Sequence, residues 1–559
     1  MTRAEISAGY IEFLRKAGVL WRITEGAIAT SIGLGCLLLA IEASLAFLLL
    51  AVPFCSWGVH RVIIKLRELD GKFTSAPGSA RMGKRADLRE AGVLRRTPQS
   101  VYCGMFKNRP AFYGGDRHII TVGASRKGKD TGLLVPNLMH LRRSIVVIDP
   151  KAELAAITAR ARAKMGKIIV INPFGLLGLG SAGYNPLAVP GFRTDSPSFF
   201  ANAMSLGEAL IKVEGKDPHW SRSAQSLAAA AIMRSKWFDQ EKNFKASMSS
   251  VIAMLSAPYT HPDETRVTLQ SVVREIGNHH YEPMARLVHR FATENHEVRS
   301  VIATALGQIA FLNDSALLAD MEKHPTVDGK PFDFEMLKHQ IITVYVVLPD
   351  DMLQTHAVWL RLIVAGALNA LKRSGPGPIR PLLMLNEVGN LGRLEPLESG
   401  MGMAAGKGVT IWTVWQSLAQ ISKIYDQHGF EEFMSGAGVL NAFGAVDMET
   451  AKYLSERLGN RTEVVTSFNL TPGSKTHGKG ESPSGFPLLH PEDIIAFKKR
   501  KLLSWIEPSS VAFTLDAPGY FDTEWADGTD PNPYFRENAS KWAENSISSR
   551  RLSASPKRA

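Results

Sequence analysis

A glycine-rich loop between two apolar segments constrains the fold of this chain more than any other feature. The loop, residues 123–129, reads GASRKGK and fits the spacing G-x-x-x-x-G-K. The apolar residues 118–122 precede it, and a second apolar stretch, 144–148, ends in the tripeptide DPK at 149–151. Glycines let backbone N–H groups surround a phosphate, and the lysine reaches the terminal phosphates. The pattern predicts a strand, a phosphate-binding loop and a helix in an α/β nucleotide-binding domain.

The candidate nucleotide-binding residues are the loop and the two positions after it. They are Gly123, Ala124, Ser125, Arg126, Lys127, Gly128, Lys129, Asp130 and Thr131. A serine or threonine normally follows the lysine, and its hydroxyl binds Mg²⁺. Here Asp130 holds that position, and Thr131 comes one place later. An accidental turn containing glycine and lysine is the alternative, although strand, loop and apolar run come in the required order.

Polar residues close two later apolar segments. The first segment, 381–385, ends in Asn386 and Glu387, where a carboxylate can hold Mg²⁺ and a glutamate can orient or deprotonate an attacking water. Many buried strands also end in an acid without any catalytic role. The second segment, 409–415, is followed by Gln416. Two interpretations of Gln416 stay open: contact with a terminal phosphate or the water, and a simple helix start capped by Ser417.

The order of predicted elements indicates one α/β domain interrupted by helices. Strands alternate with helices in residues 116–195 and again in residues 331–530, which predicts a parallel sheet with right-handed crossovers. Between them, residues 196–330 show helical periodicity and no strand pattern. We therefore predict an all-α domain inserted in a nucleotide-binding domain.

The N-terminal region predicts a membrane anchor over residues 1–70. Residues 26–59 are almost wholly apolar, and Glu42 is their one charge. The run is too long for one comfortable span of ~20 residues, and a charge at the bilayer centre is costly. A transmembrane helical hairpin with spans 24–41 and 45–60 places Glu42 in the turn, with basic residues on both flanks in the cytoplasm. A single tilted helix is the alternative.

Charge and composition indicate an anionic partner. The net charge is +12 and the pI about 9.4, which suits nucleic acid or anionic lipid. Residues 71–115 are predicted to form a basic connector, residues 467–484 a mobile loop, and residues 531–559 a disordered basic tail. The three cysteines lack metal-ligand spacing and suggest no disulfide framework, so the main body is expected in a reducing compartment.

Several segments together resemble the type IV secretion coupling protein family, the TraG/TraD-type conjugative DNA-transfer ATPases. The matching segments are GSARMGKRADLREAGVL at residues 78–94, the loop itself, SIVVIDPKAEL from residue 144, LNEVGNLGRLEPLE from residue 385, WQSLAQISKIYD from residue 415 and FPLLHPEDI at residues 486–494. They run from about residue 78 to residue 520, which is most of the chain.

The resemblance implies a RecA-like P-loop motor anchored in the bacterial inner membrane, with its main domains in the cytoplasm. It further implies ATP and Mg²⁺ as cofactors and a homo-hexamer. The implied partners are DNA bound largely without sequence preference, a relaxase or relaxosome, and components of a type IV secretion channel.

Carried over by position, the resemblance implies that Gly123, Gly128 and Lys129 hold the phosphates. Glu387 becomes the catalytic carboxylate and Gln416 the phosphate sensor. The motif residues Asp149, Lys151 and Glu153 also match, with their role left open. The chain departs from the family pattern at Asp130, where a small or hydroxyl residue is usual, and at Asn386, where aspartate is usual. Both positions bear on metal binding, and both are candidate Mg²⁺ contacts through water.

Three functions are compatible with the sequence. The first is an ATP-driven coupling protein that hands a relaxase–DNA complex or another secreted substrate to the channel. The second is a membrane docking receptor of the same fold that hydrolyses ATP weakly or not at all. The third, an unrelated P-loop enzyme acting on a small molecule, explains neither the predicted hairpin nor the basic charge.

Overall fold

The computed structural model describes residues 78–213, 218–242, 245–257, 259–260, 266–293, 295–469 and 478–535. The predicted transmembrane hairpin lies outside these residues, as do positions 536–559 of the predicted tail. Among the described helices, none is by itself both long and apolar enough to cross a bilayer. One pair, His296–Asn313 with Ser315–Met321, meets the length and composition criteria jointly but is bent by 86°.

Strands alternate with helices through most of the described chain. In chain order the described strands are β1 (Val101–Phe106), β2 (Arg109–Tyr113), β3 (His118–Val122), β4 (Ile145–Asp149), β5 (Lys167–Ile171), β6 (Tyr259–Thr260), β7 (Arg266–Val267), β8 (Thr326–Val327), β9 (Lys330–Pro331), β10 (Ile342–Val347), β11 (Leu382–Leu385), β12 (Thr410–Trp415), β13 (Ala437–Ala442), β14 (Asn460–Asn469), β15 (Gly478–Pro487), β16 (Lys501–Ile506) and β17 (Ala512–Asp516).

The helices fall before, between and after these strands. In chain order they are α1 (Arg85–Glu90), α2 (Val135–His140), α3 (Glu153–Ala163), α4 (Phe199–Leu210), α5 (His219–Lys242), α6 (Met248–Leu255), α7 (Leu269–Gly277), α8 (Glu282–Val288), α9 (His296–Ile309), α10 (Ser315–Met321), α11 (Ala357–Arg373), α12 (Glu395–Met403), α13 (Leu418–Gly436), α14 (Met448–Leu458) and α15 (Pro491–Ile495).

The described residues divide into two compact units, and the larger one is built on an eleven-stranded sheet. The strand order is β2-β1-β17-β16-β13-β3-β12-β11-β4-β10-β5. Neighbours from β13 to β5 all run parallel, and neighbours from β13 to β2 run antiparallel. The chain is thus a mixed α/β protein with a large parallel sheet, as the sequence predicts.

The centre of the sheet is covered on both faces. Every residue of β3, β4, β10, β11 and β12 is buried. Strands buried on both faces read as continuous apolar runs, which is why the sequence identifies them well. The predicted strand at residues 118–122 coincides with β3, and the predicted segment 381–385 differs from β11 by one residue.

Helices α4 to α10 occupy the range predicted to be an all-α insertion. Side-chain caps start several of them: Thr268 accepts from Ser271 N at α7, and Asn295 accepts from Val298 N at α9. The two-residue strands β6, β7 and β8 also lie in this range. Helix α4 packs against α5 and against α11, a helix of the sheet domain. The domain boundaries themselves stay a prediction.

Three segments differ from the sequence expectations. Residues 101–113, inside the predicted basic connector, form β1 and β2 at the edge of the sheet. Residues 531–535 precede the undescribed tail, and there the side chain of Asn532 is buried and donates to Glu153. Parts of the predicted 467–484 loop belong to the smaller unit, where β14 pairs with β15. Contacts with distant residues order two of these segments, since β1 pairs with β17 and Asn532 bonds to Glu153. In the third, β14 and β15 are consecutive strands that pair with each other.

Candidate functional site

Four adjacent parallel strands bring the predicted site residues to one edge of the sheet. In the order β3-β12-β11-β4 their carboxyl ends lead into the glycine-rich loop, Gln416, Asn386 with Glu387, and Asp149. Ligands of open α/β sheets bind outside the carboxyl ends of the strands. Residues far apart in the chain are therefore neighbours at this edge.

The loop at residues 123–129 is held from behind by later parts of the chain. Gly123 N donates to Trp415 O at 3.1 Å, and a Cβ at Gly123 would lie 2.7 Å from the Cβ of Phe443. Gly128 has a φ of +101°, which disfavours any other residue. Behind it, Arg500 N donates to Lys127 O at 3.0 Å. These hydrogen bonds and close contacts therefore fix the backbone conformation of the loop.

The loop continues into a π-helical turn, Asp130–Leu134, and then into α2. Such turns occur mostly as single insertions, frequently at functional sites. Here Gly132 lies against Ala517, since a Cβ at Gly132 would come within 2.6 Å of the Ala517 carbonyl oxygen. Thr131 is partly buried, while Ser125 and Arg126 are exposed. The start of the helix is thus confined on one side and open on the other.

Lys129 is buried and caps the loop from within. Its Nζ donates to Gly123 O at 2.5 Å and to Ala124 O at 3.1 Å. Burial lowers the pKa of Lys129, and the nearby carboxyls of Asp130 and Glu387 oppose that shift. The ammonium group of Lys129 therefore lies near two carboxyl groups, those of Asp130 and Glu387.

Asp130 and Asn386 meet across the edge of the sheet. Asn386 Nδ2 donates to Asp130 Oδ1 at 3.3 Å, and Asn386 Oδ1 accepts from Glu387 N at 3.1 Å. Burial raises the pKa of Asp130, Lys129 lowers it and Glu387 raises it further. The two positions that depart from the family pattern are thus direct partners.

Glu387 and Gln416 form the next pair along the edge. Gln416 Nε2 donates to Glu387 Oε2 at 3.0 Å. Glu387 has a φ of +53°, an uncommon conformation for a residue with a side chain and one that clusters at functional sites. Ser417 caps α13 by accepting from Gln420 N. The helix start capped by Ser417 is therefore present, and contact of Gln416 with a terminal phosphate or the attacking water stays a prediction.

The second-strand motif lies beside these residues. Asp149 is buried, its Oδ2 accepts from Ala155 N at 2.8 Å, and burial raises its pKa to about 7. Burial also raises the pKa of Glu153, which accepts from Asn532 at 2.5 Å. Lys151 pairs with Asp350 at 3.3 Å. Three carboxyl groups, those of Asp149, Glu153 and Asp350, therefore lie in this part of the site together with one cation, Lys151.

The site residues enclose a cavity of about 270 Å³ at the sheet edge, hereafter the edge cavity. Its lining includes Ser125, Asp130, Asp149, Lys151, Glu153, Asp350, Asn386, Glu387 and Gln416. Of the described residues that line it, none is aromatic. Carboxylate oxygens suit a hard cation such as Mg²⁺, and Asp130 and Glu387 supply them. Asn386 as oriented turns its nitrogen, not its oxygen, toward Asp130.

Asp350 also lines the edge cavity, although it belongs to none of the predicted site motifs. It follows β10, and β10 is the neighbour of β4 in the sheet. An acid three residues beyond the end of a parallel strand was therefore a signal that the sequence alone offered. Arg500 had no comparable signal, because its link to the loop is made by backbone atoms.

Comparison with known families gives one extended match. A family model described as "Type IV secretory system Conjugative DNA transfer" matches residues 76–529. That range contains the glycine-rich loop, the edge cavity and the helices between them.

Two relatives illustrate the range of sequence similarity. The conjugal transfer protein TraG of Escherichia coli is 27% identical over 432 residues, covering 71% of this chain and 66% of TraG. Protein VirD4 of Agrobacterium fabrum is 26% identical over 442 residues, covering 75% of this chain and 62% of VirD4. The chain therefore spans slightly less than two thirds of the length of these relatives.

Solved structures show the same fold. The bacterial conjugative coupling protein TrwB in an unbound form superposes with a TM-score of 0.58 at 14% identity, covering 79% of this chain and 92% of TrwB. TrwB in complex with ADP and Mg²⁺ gives a TM-score of 0.56 at 13% identity, over 78% of this chain and 93% of TrwB.

Proposed function

This chain belongs to the type IV secretory system conjugative DNA transfer family, and from that premise we propose that it is a nucleotide-driven coupling protein. In this proposal a RecA-like domain hydrolyses ATP and delivers a relaxase–DNA complex, or another secreted substrate, to a type IV secretion channel. The family match supports the transport role, and the site geometry supports the nucleotide chemistry.

One observation carries the nucleotide chemistry: a continuous row of polar side chains crosses β3, β11 and β12. Lys129 and Asp130 follow the loop, Asn386 bonds to Asp130, and Gln416 bonds to Glu387. This cation, the two carboxylates and the two amides match the needs of a terminal phosphate, a metal and an attacking water. A small-molecule enzyme of another class would not require this arrangement.

Each group in the row has a defined task in this proposal. The loop amides and Lys129 hold the β- and γ-phosphates. Glu387 accepts the proton of the attacking water, and Gln416 holds Glu387 and the transferred phosphate in register. Bound Mg²⁺ would neutralise developing phosphate charge, and Asp130 is the carboxylate best placed to hold it through water. The solved complex of TrwB with ADP and Mg²⁺ supports this choice of cofactors.

The remaining partners follow from the family and the charge. We propose a homo-hexamer in the bacterial inner membrane, held by the predicted N-terminal hairpin, with the described domains in the cytoplasm. A net charge of +12 favours DNA binding through the phosphate backbone. The names of the relatives, conjugal transfer protein and VirD4, support a role in DNA transfer.

A docking receptor that hydrolyses ATP weakly is the second candidate, and the Asp130–Asn386 pair favours it. Asn386 supplies no charge to a metal, and its side-chain amide donates a hydrogen bond to the carboxylate of Asp130. Burial raises the pKa of Asp130 and so works against the carboxylate charge that a metal needs. Both effects weaken metal binding.

The test is phosphate release by the full chain in detergent, with and without DNA. Wild type should release phosphate faster with DNA. Glu387→Gln should abolish release while ATP binding persists, because it removes the base and keeps the shape. The matched control is Glu395→Gln, an exposed glutamate that lies outside the edge cavity.

Two results would redirect the proposal. If wild type binds ATP but releases no measurable phosphate, the docking receptor becomes the favoured function. Release that Glu387→Gln leaves unchanged removes Glu387 from the catalytic role.

A further inference from the structure

The last seven described residues, 529–535, form a segment without helix or strand, hereafter the C-terminal strap. Its sequence, TDPNPYF, places Asn532 between Pro531 and Pro533. A proline fixes its own φ, and it restricts the residue before it to extended conformations. The backbone of Asn532 therefore has few alternatives even in the unfolded chain, so its ordering on folding costs little conformational entropy.

The strap runs back along helix α3 toward the edge cavity. Near its start Asp530 N donates to Ile157 O at 2.9 Å, and Arg160 Nε donates to Asp530 Oδ1 at 2.8 Å. Two residues later Asn532 Nδ2 donates to Glu153 Oε1 at 2.5 Å. Because α3 begins at Glu153, these contacts pass from the middle of the helix to its first residue. The strap therefore reaches the end of α3 that lies at the edge cavity.

The strap also holds a strained turn at the start of α3. Ala152 is buried and has a φ of +55°, an uncommon conformation that persists only where the surroundings fix it. On one side of Ala152, Tyr534 Oη donates to Lys151 O at 2.7 Å, and on the other side Asn532 bonds to Glu153. Lys151 and Glu153 both line the edge cavity. The strap thus fixes the turn that presents two charged groups to the site.

The side chain of Asn532 is bonded at both of its polar ends. It is 1% exposed, its Nδ2 donates to Glu153, and its Oδ1 accepts from Tyr534 N at 2.8 Å. Burial raises the pKa of Glu153, the charge of Asp130 raises it further, and the bond from Asn532 opposes both. The amide is therefore locked in an orientation that favours the charged form of the Glu153 carboxylate.

We propose that the C-terminal strap sets the position of a carboxylate in the edge cavity, with Asn532 as the positioning residue for Glu153. This inference rests on the proposed function. In that function the Glu153 carboxylate accepts hydrogen bonds from water around the terminal phosphate, and the strap keeps it directed at that water. Turnover then depends on a contact between residues that are 379 positions apart in the chain.

Two single variants and their combination separate the position of the carboxylate from the bond itself. Asn532→Asp keeps the shape and the acceptor for Tyr534 N, but it sets a second carboxylate against Glu153. Glu153→Gln keeps an acceptor for Asn532 but removes the charge from the cavity. The double variant, Glu153→Gln with Asn532→Asp, rebuilds the bond with donor and acceptor exchanged, so the carboxylate moves from the cavity to the strap.

Phosphate release by the full chain in detergent, measured against ATP concentration, gives kcat and KM, and urea unfolding gives the stability. Each single variant should lower kcat by roughly 10- to 100-fold, the range for loss of a partner that orients a functional side chain. KM should stay close to that of wild type, because the glycine-rich loop still holds the phosphates. The double variant should unfold like wild type, while its kcat stays low.

Asn185→Asp is the matched control. Asn185 is also buried, its Nδ2 donates to Ala246 O at 2.8 Å, and its Oδ1 accepts from Leu187 N at 2.9 Å, two residues later as in the strap. It does not line the edge cavity. The control variant should lose stability without a change in kcat.

Three kinetic results would overturn the inference. Recovery of kcat in the double variant would show that the bond suffices wherever the carboxylate lies. A wild-type kcat in Glu153→Gln would show that this carboxylate has no task, and it would leave the proposed function intact. A loss of kcat/KM that comes through KM alone would show that the strap affects ATP binding and not turnover.

Hydrogen exchange gives a readout that needs neither variants nor hydrolysis. Mg²⁺ with a non-hydrolysable ATP analogue should slow exchange in the strap peptide of wild type, because Tyr534 N is bonded to Asn532 and Asn532 to the cavity. Unchanged exchange in a chain that binds the analogue overturns the inference while the proposed function stands. If wild type neither binds nor hydrolyses ATP, the proposed function fails and the inference fails with it.

Discussion

The side-chain amide of Asn386 donates a hydrogen bond to the carboxylate of Asp130, with Nδ2 and Oδ1 3.3 Å apart. Asn386 directly follows β11, and Asp130 begins the π-helical turn after the glycine-rich loop. The family pattern places a carboxylate where Asn386 stands and a small or hydroxyl residue where Asp130 stands. The contact is what an exchange of the acid between two facing positions would produce.

The exchange predicts how Asp130→Ser behaves. Removing the only acid of this pair should lower ATP turnover by roughly 10- to 100-fold, the range for loss of groups that hold a metal. Asp130→Ser together with Asn386→Asp should restore turnover, because the acid returns to the usual side. Steady-state phosphate release measures both variants. A faster rate in Asp130→Ser alone would instead identify Asp130 as a repulsive brake near the phosphates.

Gln416→Ala should lower turnover by about 10²-fold, the cost of losing one positioned donor, with ATP binding unchanged. The reason is that Gln416 holds Glu387 by a hydrogen bond of 3.0 Å, and an alanine leaves that carboxylate free to turn. Gln427→Ala is the control, since the exposed Gln427 side chain bonds to the exposed side chain of Glu431 on the same helix. A rate loss matched by an equal loss of ATP affinity would contradict a positioning role.

Asp149 predicts a pH dependence of stability. Burial raises its pKa from 3.8 to about 7, so the folded chain holds this proton more tightly than the unfolded chain. The stabilisation is complete below pH 3.8 and is lost as the pH rises through about 7. Asp149→Asn should remove that loss. From pH 5 to pH 8 the unfolding free energy of the variant should therefore rise relative to that of wild type by roughly 2–3 kcal/mol, at ~1.4 kcal/mol per pKa unit.

Urea unfolding of wild type and Asp149→Asn across that pH range measures the difference. Asp116→Asn, at an exposed aspartate, should keep the pH dependence of wild type. A parallel pH dependence of the Asp149→Asn variant and wild type would show that Asp149 is ionised in the fold.

The central strands were predictable because a strand that is buried on both faces consists of a continuous run of apolar residues. Strand β11 and strand β12 have that form, and each is followed by polar residues that the sequence assigned to the site. Residues Asn386, Glu387 and Gln416 were thus identified before their contacts were known. Parallel strands place their carboxyl ends at one edge of the sheet, so the sheet topology brings these residues together.

Other parts depend on contacts that no local pattern carries. Strand β13 reads AGVLNA and begins with small residues, yet it is buried between β3 and β16. Strand β1 contains Gly104 and is ordered by pairing with β2 and β17. The support of the loop by Arg500 runs through backbone atoms, which every residue has. These features follow from the assembled sheet and not from residue type.

DNA binding should be governed by salt and not by sequence. We expect the full chain in detergent to bind DNA with an affinity that falls more than about tenfold from low to physiological salt, because phosphate contacts release counterions. Fluorescence anisotropy with two duplexes of equal composition and shuffled order measures both effects. An affinity that ignores salt, or that depends on one of the two sequences, would contradict the prediction.

Arg361 predicts a stability effect that reaches the site. This buried guanidinium on α11 donates to Ala209 O at 3.1 Å and to Leu391 O at 3.0 Å, so it ties helix α4 to the turn after Glu387. Arg361→Met keeps the volume but leaves buried carbonyls unpaired, which should cost about 2–4 kcal/mol of unfolding free energy. Urea unfolding measures this cost. Arg286→Met, at an exposed arginine on α8, should change stability by less than about 0.5 kcal/mol. Equal effects of the two variants would show that the link carries no stability.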